Sequence, residues 1–333
     1  MTRKPAFPWR LAGAMLLAVM VCLVGTATGA RAHEPSMAVM DLREVRPNDF
    51  FAQWTLAPSE DTSSLRPMFP QQCQYRPPEL LCADPGFAGR IGFAGIGTKT
   101  SAVMFRVSRL DGDIQTYTLT PAHPVVTLAS GPREGLQAWA GLVFAYVALG
   151  ADHIVMGVDH LLFVLGLVWI VGWRWMLVKT ITAFTIAHSL TLAATTLGMV
   201  TPPVAAVNAT VALSILFLGP EMLKAWRNEP SLTRDRPYVV AFAFGLLHGF
   251  GFATALTDAG LPRVELPWAL LGFNIGVEAG QLGFILLLAL LARAGRQLQI
   301  HLAGWSAAVP AYIVGGLGAF WTIGRTATIL GAL

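Results

Sequence analysis

The chain has 333 residues, of which 54% are hydrophobic and only 13% charged, about half the ~25% charged share of an ordinary soluble domain. Its mean hydropathy of +0.57 excludes a soluble enzyme of this length and a disordered chain alike. The net charge of +4, from 23 Lys and Arg against 19 Asp and Glu, is too small and too scattered to serve nucleic acid. The composition is that of a membrane protein with a soluble appendix.

Residues 1–32 read as a cleaved secretory signal. Arg3, Lys4 and Arg10 form its basic start, Leu11 to Val24 its apolar stretch, and Ala30-Arg31-Ala32 its cleavage site. The alternative, a first membrane anchor, is weakened because that stretch is short for a crossing. Cleavage would leave His33 at the N-terminus, where a free amine beside an imidazole is a candidate chelate for a divalent metal. Cys22 would leave with the signal. Cys73 and Cys82 remain, bracketing a proline-containing loop in the exported segment, and a structural disulfide is their natural reading. A thiolate metal pair would be unusual at this spacing in an oxidising compartment.

Residues 33–132 have ordinary composition, with short apolar runs separated by prolines and glycines. Met37 to Val45, Phe50 to Leu56, Val103 to Val107, Ile114 to Leu119 and Val125 to Leu128 suit strands. Asp111-Gly112 suits a hairpin turn. A small, mostly β periplasmic domain, with a sandwich as its architecture, is the expectation.

From residue 133 to 333 the chain becomes a transmembrane helical domain. Long apolar runs occur at 155–172, 176–197, 204–224, 237–257, 266–292 and 303–325, each near the ~20 residues a crossing requires. A shorter run, 137–150, ends at Gly150. Arg174, Lys179, Lys224, Arg227, Arg234, Arg236, Arg293 and Arg296 crowd one set of connections, whereas the other set and the tail hold only Arg263 and Arg325. The crowded set should be cytoplasmic. With an exported N-terminal domain, this predicts a polytopic α-helical bundle of six full crossings. The 137–150 segment becomes a short interfacial or re-entrant helix, and both mature termini lie outside the bacterial inner (plasma) membrane.

Ionisable groups inside a bilayer are costly and are functional candidates by default. Asp152-His153 and Asp159-His160 stand seven residues apart in GADHIVMGVDHLLFVL. If Gly150 and Gly157 leave the segment helical, the two pairs share a face about 10 Å apart. One metal cannot span both, since its bonds to nitrogen or oxygen are ~2 Å long, so they read as successive stations. The competing reading of Asp152-His153 is a helix start. His188 and His248 fall near the middle of their runs, and Gly245, Gly249 and Gly251 would allow close helix approach. A lone membrane histidine is often only an interhelical hydrogen bond; two at one depth with acids nearby favour ligation or proton relay. On the run 266–292, Gly272, Gly276, Gly280 and Gly283 share one face. Asn274, Glu278 and Gln281 share the opposite one, where Glu278 could neutralise a cation or carry a proton, or hold a structural polar knot. Glu221 reads as an interfacial ion pair with Lys224. His123 and His301 read as surface histidines.

The string His153-x5-Asp159-His160 is similar to a signature of the HupE/UreJ family, membrane proteins linked to hydrogenase and urease nickel supply. FTIAHSLTL, GLLHGFGFA and FNIGVEAGQL extend that resemblance over 136–325, to the branch with a signal peptide and an exported domain. It implies a nickel permease and points to His153, Asp159, His160, His188, His248 and Glu278 as metal-site residues. Asp152, Asn208, Asn274, Gln281 and His33 are accessory candidates. One departure stands out: where the family pattern suggests V-E-A-x-x-A-L-S, this chain reads VNATVALS, with Asn208 in the acid's place.

Imidazole and carboxylate without membrane thiolate suit nickel, cobalt or zinc better than Cu(I). The leading expectation is therefore a divalent-metal permease, a transporter rather than an enzyme. Nickel or cobalt is the favoured cargo and zinc an alternative, with no permanently bound cofactor. Protons or the membrane potential would drive it, since no nucleotide-binding motif occurs. The expected partners are the cation and the lipid bilayer, with no nucleic acid; a homo-oligomer or a metalloenzyme maturation system are further candidates. Two competing readings are an intramembrane zinc-dependent hydrolase, with His188-Ser189 at hand, and a non-transporting assembly or sensor protein.

Overall fold

The computed structural model describes residues 37–55, 65–97, 100, 102–121, 123–128, 136–258, 266–297 and 308–331. The signal segment, His33 and His301 lie outside the described residues. Those described form an N-terminal β-rich region followed by helices, and the chain divides into two compact units.

One unit comprises Glu34–Met156 and Phe252–Val277. Its strands are β1 (Met37–Arg46), β2 (Asp49–Thr55), β3 (Arg66–Met68), β4 (Cys73–Arg76), β5 (Glu79–Cys82), β6 (Gly89–Ala94), β7 (Ala102–Ser108), β8 (Ile114–Leu119) and β9 (Val125–Leu128). A six-stranded sheet runs β4-β5-β2-β1-β7-β8, and a three-stranded one runs β3-β6-β9. All pairings are antiparallel except β1 with β7. The two sheets enclose one core. Phe93 of the smaller sheet meets Trp54 and Phe105 of the larger at ring-centroid distances of 5.6 and 5.9 Å, as in a sandwich. The β7–β8 turn holds Asp111-Gly112, where Gly112 takes a φ of +87° that L side chains avoid. Cys73 and Cys82 face each other across the β4–β5 ladder and are disulfide-bonded.

The same unit contains helix α1 (Leu136–Met156). The run expected to stop at Gly150 instead continues to Met156. Within it a Cβ on Gly150 would run into the Phe273 carbonyl, and one on Gly276 into that of Val147. Glycine lets α1 lie against the first turns of α7 (Leu266–Gln297) at backbone distance. On its other side α1 meets the sheet, where Thr118 Oγ1 donates to the Ala145 carbonyl at 3.1 Å and the buried Tyr146 hydroxyl reaches Met104 Sδ at 3.4 Å.

The other unit comprises Gly157–Gly251 and the chain from Glu278 onward. It contains α2 (Val158–Val171), α3 (Trp175–Thr196), α4 (Val204–Arg227), a short α5 (Leu232–Asp235), most of α6 (Pro237–Asp258), the rest of α7, and α8 (Val309–Ile329). Helix α2 is apolar all round, and every residue from His160 to Ile170 is buried, as expected of a helix at the middle of a bundle. Glycines again set the closest contacts. Gly219 of α4 faces Gly315 of α8, and Gly245 and Gly249 of α6 face the carbonyls of Phe184 and His188 on α3. Gly251, expected to join them, meets only Val207 Cγ1 at an ordinary 3.8 Å.

Among the described residues, α3, α4 and α7 are long and apolar enough to cross a membrane, and α1 with α2 would make a fourth span if that broken pair counts as one. Helix α6 is a shorter apolar helix.

Candidate functional site

The chain cannot continue helically through Gly157, which adopts an extended φ of −79° and ψ of 93° at the N-cap of α2. This corrects the expectation that Asp152-His153 and Asp159-His160 share one helical face. The two pairs sit on separate helices, α1 and α2, and in separate units.

Asp159 lies in the first turn of α2, where backbone N–H groups lack intrahelical partners and a carboxylate is favoured. Its Oδ1 accepts the His160 backbone N–H at 2.9 Å and faces His160 Nδ1 at 3.0 Å. A carboxylate can only accept, so Nδ1 carries a proton, and in the neutral imidazole the lone pair is then on Nε2. A carboxylate behind one ring nitrogen, with the other left basic, is how metal-binding histidines are usually held.

The His160 ring meets the His248 ring of α6 nearly edge-on, with centroids 5.1 Å apart. His248 is 2% exposed and is walled by Phe163 and Phe184 at 5.4 and 5.3 Å. Its Nε2 lies 2.9 Å from Ser214 Oγ on α4. His188 is fully buried on α3 against Phe184, and both it and Arg325 of α8 lie within electrostatic range of His248. Arg325 also acts on Asp159, and its Nη1 donates to the Asn208 main-chain carbonyl. The position where an acid was expected therefore contributes its backbone to an arginine.

Glu278 belongs to the same unit. Thr182 Oγ1 donates to Glu278 Oε1 at 2.6 Å, and Thr185 Oγ1 lies 3.2 Å from Oε1 of the buried Gln281. Positions 182 and 185 on α3 thus match 278 and 281 on α7, forming two polar rungs between these helices. Asn274 Nδ2 donates to the Leu270 carbonyl of its own helix at 2.8 Å.

His153, in the other unit, is 5% exposed and packs against Phe252 and Phe273, with centroids at 4.6 and 5.5 Å. Asp152 hydrogen-bonds the Thr120 side chain and lies within electrostatic range of His123. Glu221 makes the expected ion pair, receiving Lys224 Nζ at 2.9 Å, and also accepts from Ser231 Oγ and the Thr233 N–H around α5. Ser189, beside His188 in sequence, spends its hydroxyl on the Thr185 carbonyl.

Among the described residues, no group of three or more His, Cys, Asp or Glu is arranged to hold a metal ion. The structure brings together Asp159, His160 and His248, with His188 close by. Ser214, Thr182, Thr185 and Arg325 are the neighbours the sequence reading did not single out. Ser214 closes the VNATVALS string, and Arg325 is a lone cation on an otherwise apolar helix, a recognisable signal of interior function.

A β-rich N-terminal region, long apolar helices and buried ionisable groups among them define a helical membrane protein with a polar site inside its helices. The chain belongs to the HupE/UreJ family: residues 133–325 match the family described as HupE / UreJ protein. Neither the curated proteins nor the solved structures include a significant match to it.

Proposed function

We propose that the protein is a divalent transition-metal permease, with nickel or cobalt as the favoured cargo and zinc as the alternative. Membership of the HupE/UreJ family, which is associated with nickel and cobalt transport, supports this reading. The observation that carries it is the Asp159–His160–His248 cluster, a carboxylate-backed imidazole against a second imidazole within apolar helices. Such groups are costly to bury, and among apolar helices they mark paths for ions or protons. Nitrogen donors without thiolate select nickel, cobalt or zinc over Cu(I).

His160 Nε2 and a His248 ring nitrogen would meet the cation, with water completing its coordination. Asp159 would hold His160 and supply countercharge. Glu278, tied to Thr182, would carry the coupling proton or offset cargo charge. His188 would form a neighbouring station and His153 a separate, accessory one that the cation's passage does not require. The permease would sit in the bacterial inner membrane, with its N-terminal region and C-terminus on the periplasmic side after removal of a signal segment. Six crossings, by α2, α3, α4, α6, α7 and α8, fit that arrangement. Helix α2 has 14 residues, a rise of about 21 Å, so its crossing of a ~30 Å core would draw on the chain before Gly157.

The test is elemental analysis of nickel, cobalt, zinc and copper in cells expressing wild type or His160→Ala at matched membrane levels. Selective accumulation lost in the variant is the expected result. No difference for any metal, with both proteins inserted, would refute uptake.

A further inference from the structure

We propose that Ser214 is a positioning residue that fixes the tautomer of His248, so that Nδ1 presents its lone pair to the cation. This rests on the permease reading for the identity of the cation, but the tautomer itself does not.

The argument is a count of hydrogens. A serine hydroxyl has one proton to donate and two lone pairs to accept with. Ser214 Oγ lies 2.6 Å from the Val211 carbonyl oxygen, which can only accept, so the hydroxyl proton points there. The same oxygen lies 2.9 Å from His248 Nε2. With its proton committed to Val211, Oγ receives the Nε2–H, and a neutral imidazole then keeps its lone pair on Nδ1. Ser214 is fully buried and His248 is 2% exposed, so water does not readily substitute for this partner. His248 Nδ1 is buried and has no hydrogen-bond partner among the described residues. A bare, buried ring nitrogen costs free energy unless something binds it, and a cation is a suitable occupant.

The geometry makes the two histidines complementary. Asp159 accepts the Nδ1–H of His160, which in the neutral ring leaves the lone pair on Nε2; Ser214 accepts the Nε2–H of His248, which leaves the lone pair on Nδ1. The first partner is anionic and strengthens its imidazole as a donor, whereas the second is neutral. A pair held in this way has one stronger and one weaker nitrogen ligand, which suits an ion that must also leave. Most serines and threonines of these helices only bond back to their own turn, as Ser189 and Thr196 do. Ser214 does this and also holds a histidine of another helix.

The experiment is solid-state NMR of the full chain, labelled with 15N-histidine, in metal-free bilayers, with the His248 signals assigned by their loss in His248→Asn. Wild type should show Nε2 protonated and Nδ1 bare. Ser214→Ala should mix or invert the tautomers, and Ser214→Thr should restore the wild-type pattern. Nickel accumulation should fall about 10- to 100-fold in Ser214→Ala, as for other outer-shell partners of metal-binding histidines, and recover in Ser214→Thr. If Ser214→Ala fails to insert, Ser214→Cys, a much weaker acceptor, carries the same comparison. A wild-type spectrum with Nδ1 protonated, or one unchanged by Ser214→Ala, overturns the proposal. The expected spectra without accumulation of any cation by wild type would instead refute the permease reading and leave the tautomer assignment standing.

Discussion

The chain contains the dipeptide Asp-His twice within ten residues, and the two copies have different surroundings. At Asp159-His160 the carboxylate grips the imidazole and a second imidazole stands 5.1 Å away. At Asp152-His153 the acid turns to Thr120, and the imidazole lies among the phenyl rings of Phe252 and Phe273, themselves stacked 4.5 Å apart. A repeated motif is thus not a repeated site. What separates them is Gly157, where an extended backbone ends one helix and begins the next.

The comparison can be broken most directly by removing each imidazole while keeping an aromatic ring. His160→Phe should lower metal accumulation at least ~100-fold, beyond the loss expected for an outer-shell partner. His153→Phe should preserve the ring packing and leave accumulation within about threefold of wild type, that is ~0.7 kcal/mol. Equal losses in the two variants would make His153 as necessary to the cation's passage as His160. Glu278→Gln sharpens the picture on the His160 side. Its carbonyl oxygen can still accept from Thr182, so thermal stability should hold while the lost charge lowers accumulation about tenfold, or ~1.4 kcal/mol; unchanged uptake would make Glu278 a structural polar contact.

A smaller effect is expected from Gly249→Ala. The added Cβ would meet the His188 carbonyl and Thr191 Oγ1, forcing α6 away from α3 beside His248. The strain should cost about 1–3 kcal/mol, seen as a lower melting temperature in detergent, with a few-fold loss of accumulation. Smallest at the site should be Cys73→Ser with Cys82→Ser. Opening this short loop should cost the β-rich region about 2–3 kcal/mol, read by proteolysis of the full chain, with accumulation unchanged. A loss of uptake there would tie the β-rich region to the cation's path.

Much of the helical organisation was legible because apolar runs of this length have few alternatives, and His160, His248 and Glu278 stood out because charge is rare among them. Strands β1, β2, β7, β8 and β9 were legible as short apolar runs between breakers. Strands β3, β4, β5 and β6 were not. They have three to six residues each, and β3 carries Pro67 within it. Their existence depends on partners in the two sheets rather than on local preference. The Cys73–Cys82 bond was readable because these two cysteines remain in an exported segment and bracket a short loop, and it is seen across β4 and β5.

The sequence by itself determined that this is a membrane protein of the HupE/UreJ family, with histidine and carboxylate among its apolar helices, since composition and ordered motifs survive any arrangement of the elements. Only the tertiary structure decided which of those groups meet. A glycine within an apolar run costs a helix only about 1 kcal/mol, so nothing local tells Gly150, which continues α1, from Gly157, which ends it. A serine's back-bond to its own turn looks the same in every helix. That Ser214 also reaches His248 depends on where α4 and α6 lie in the folded chain.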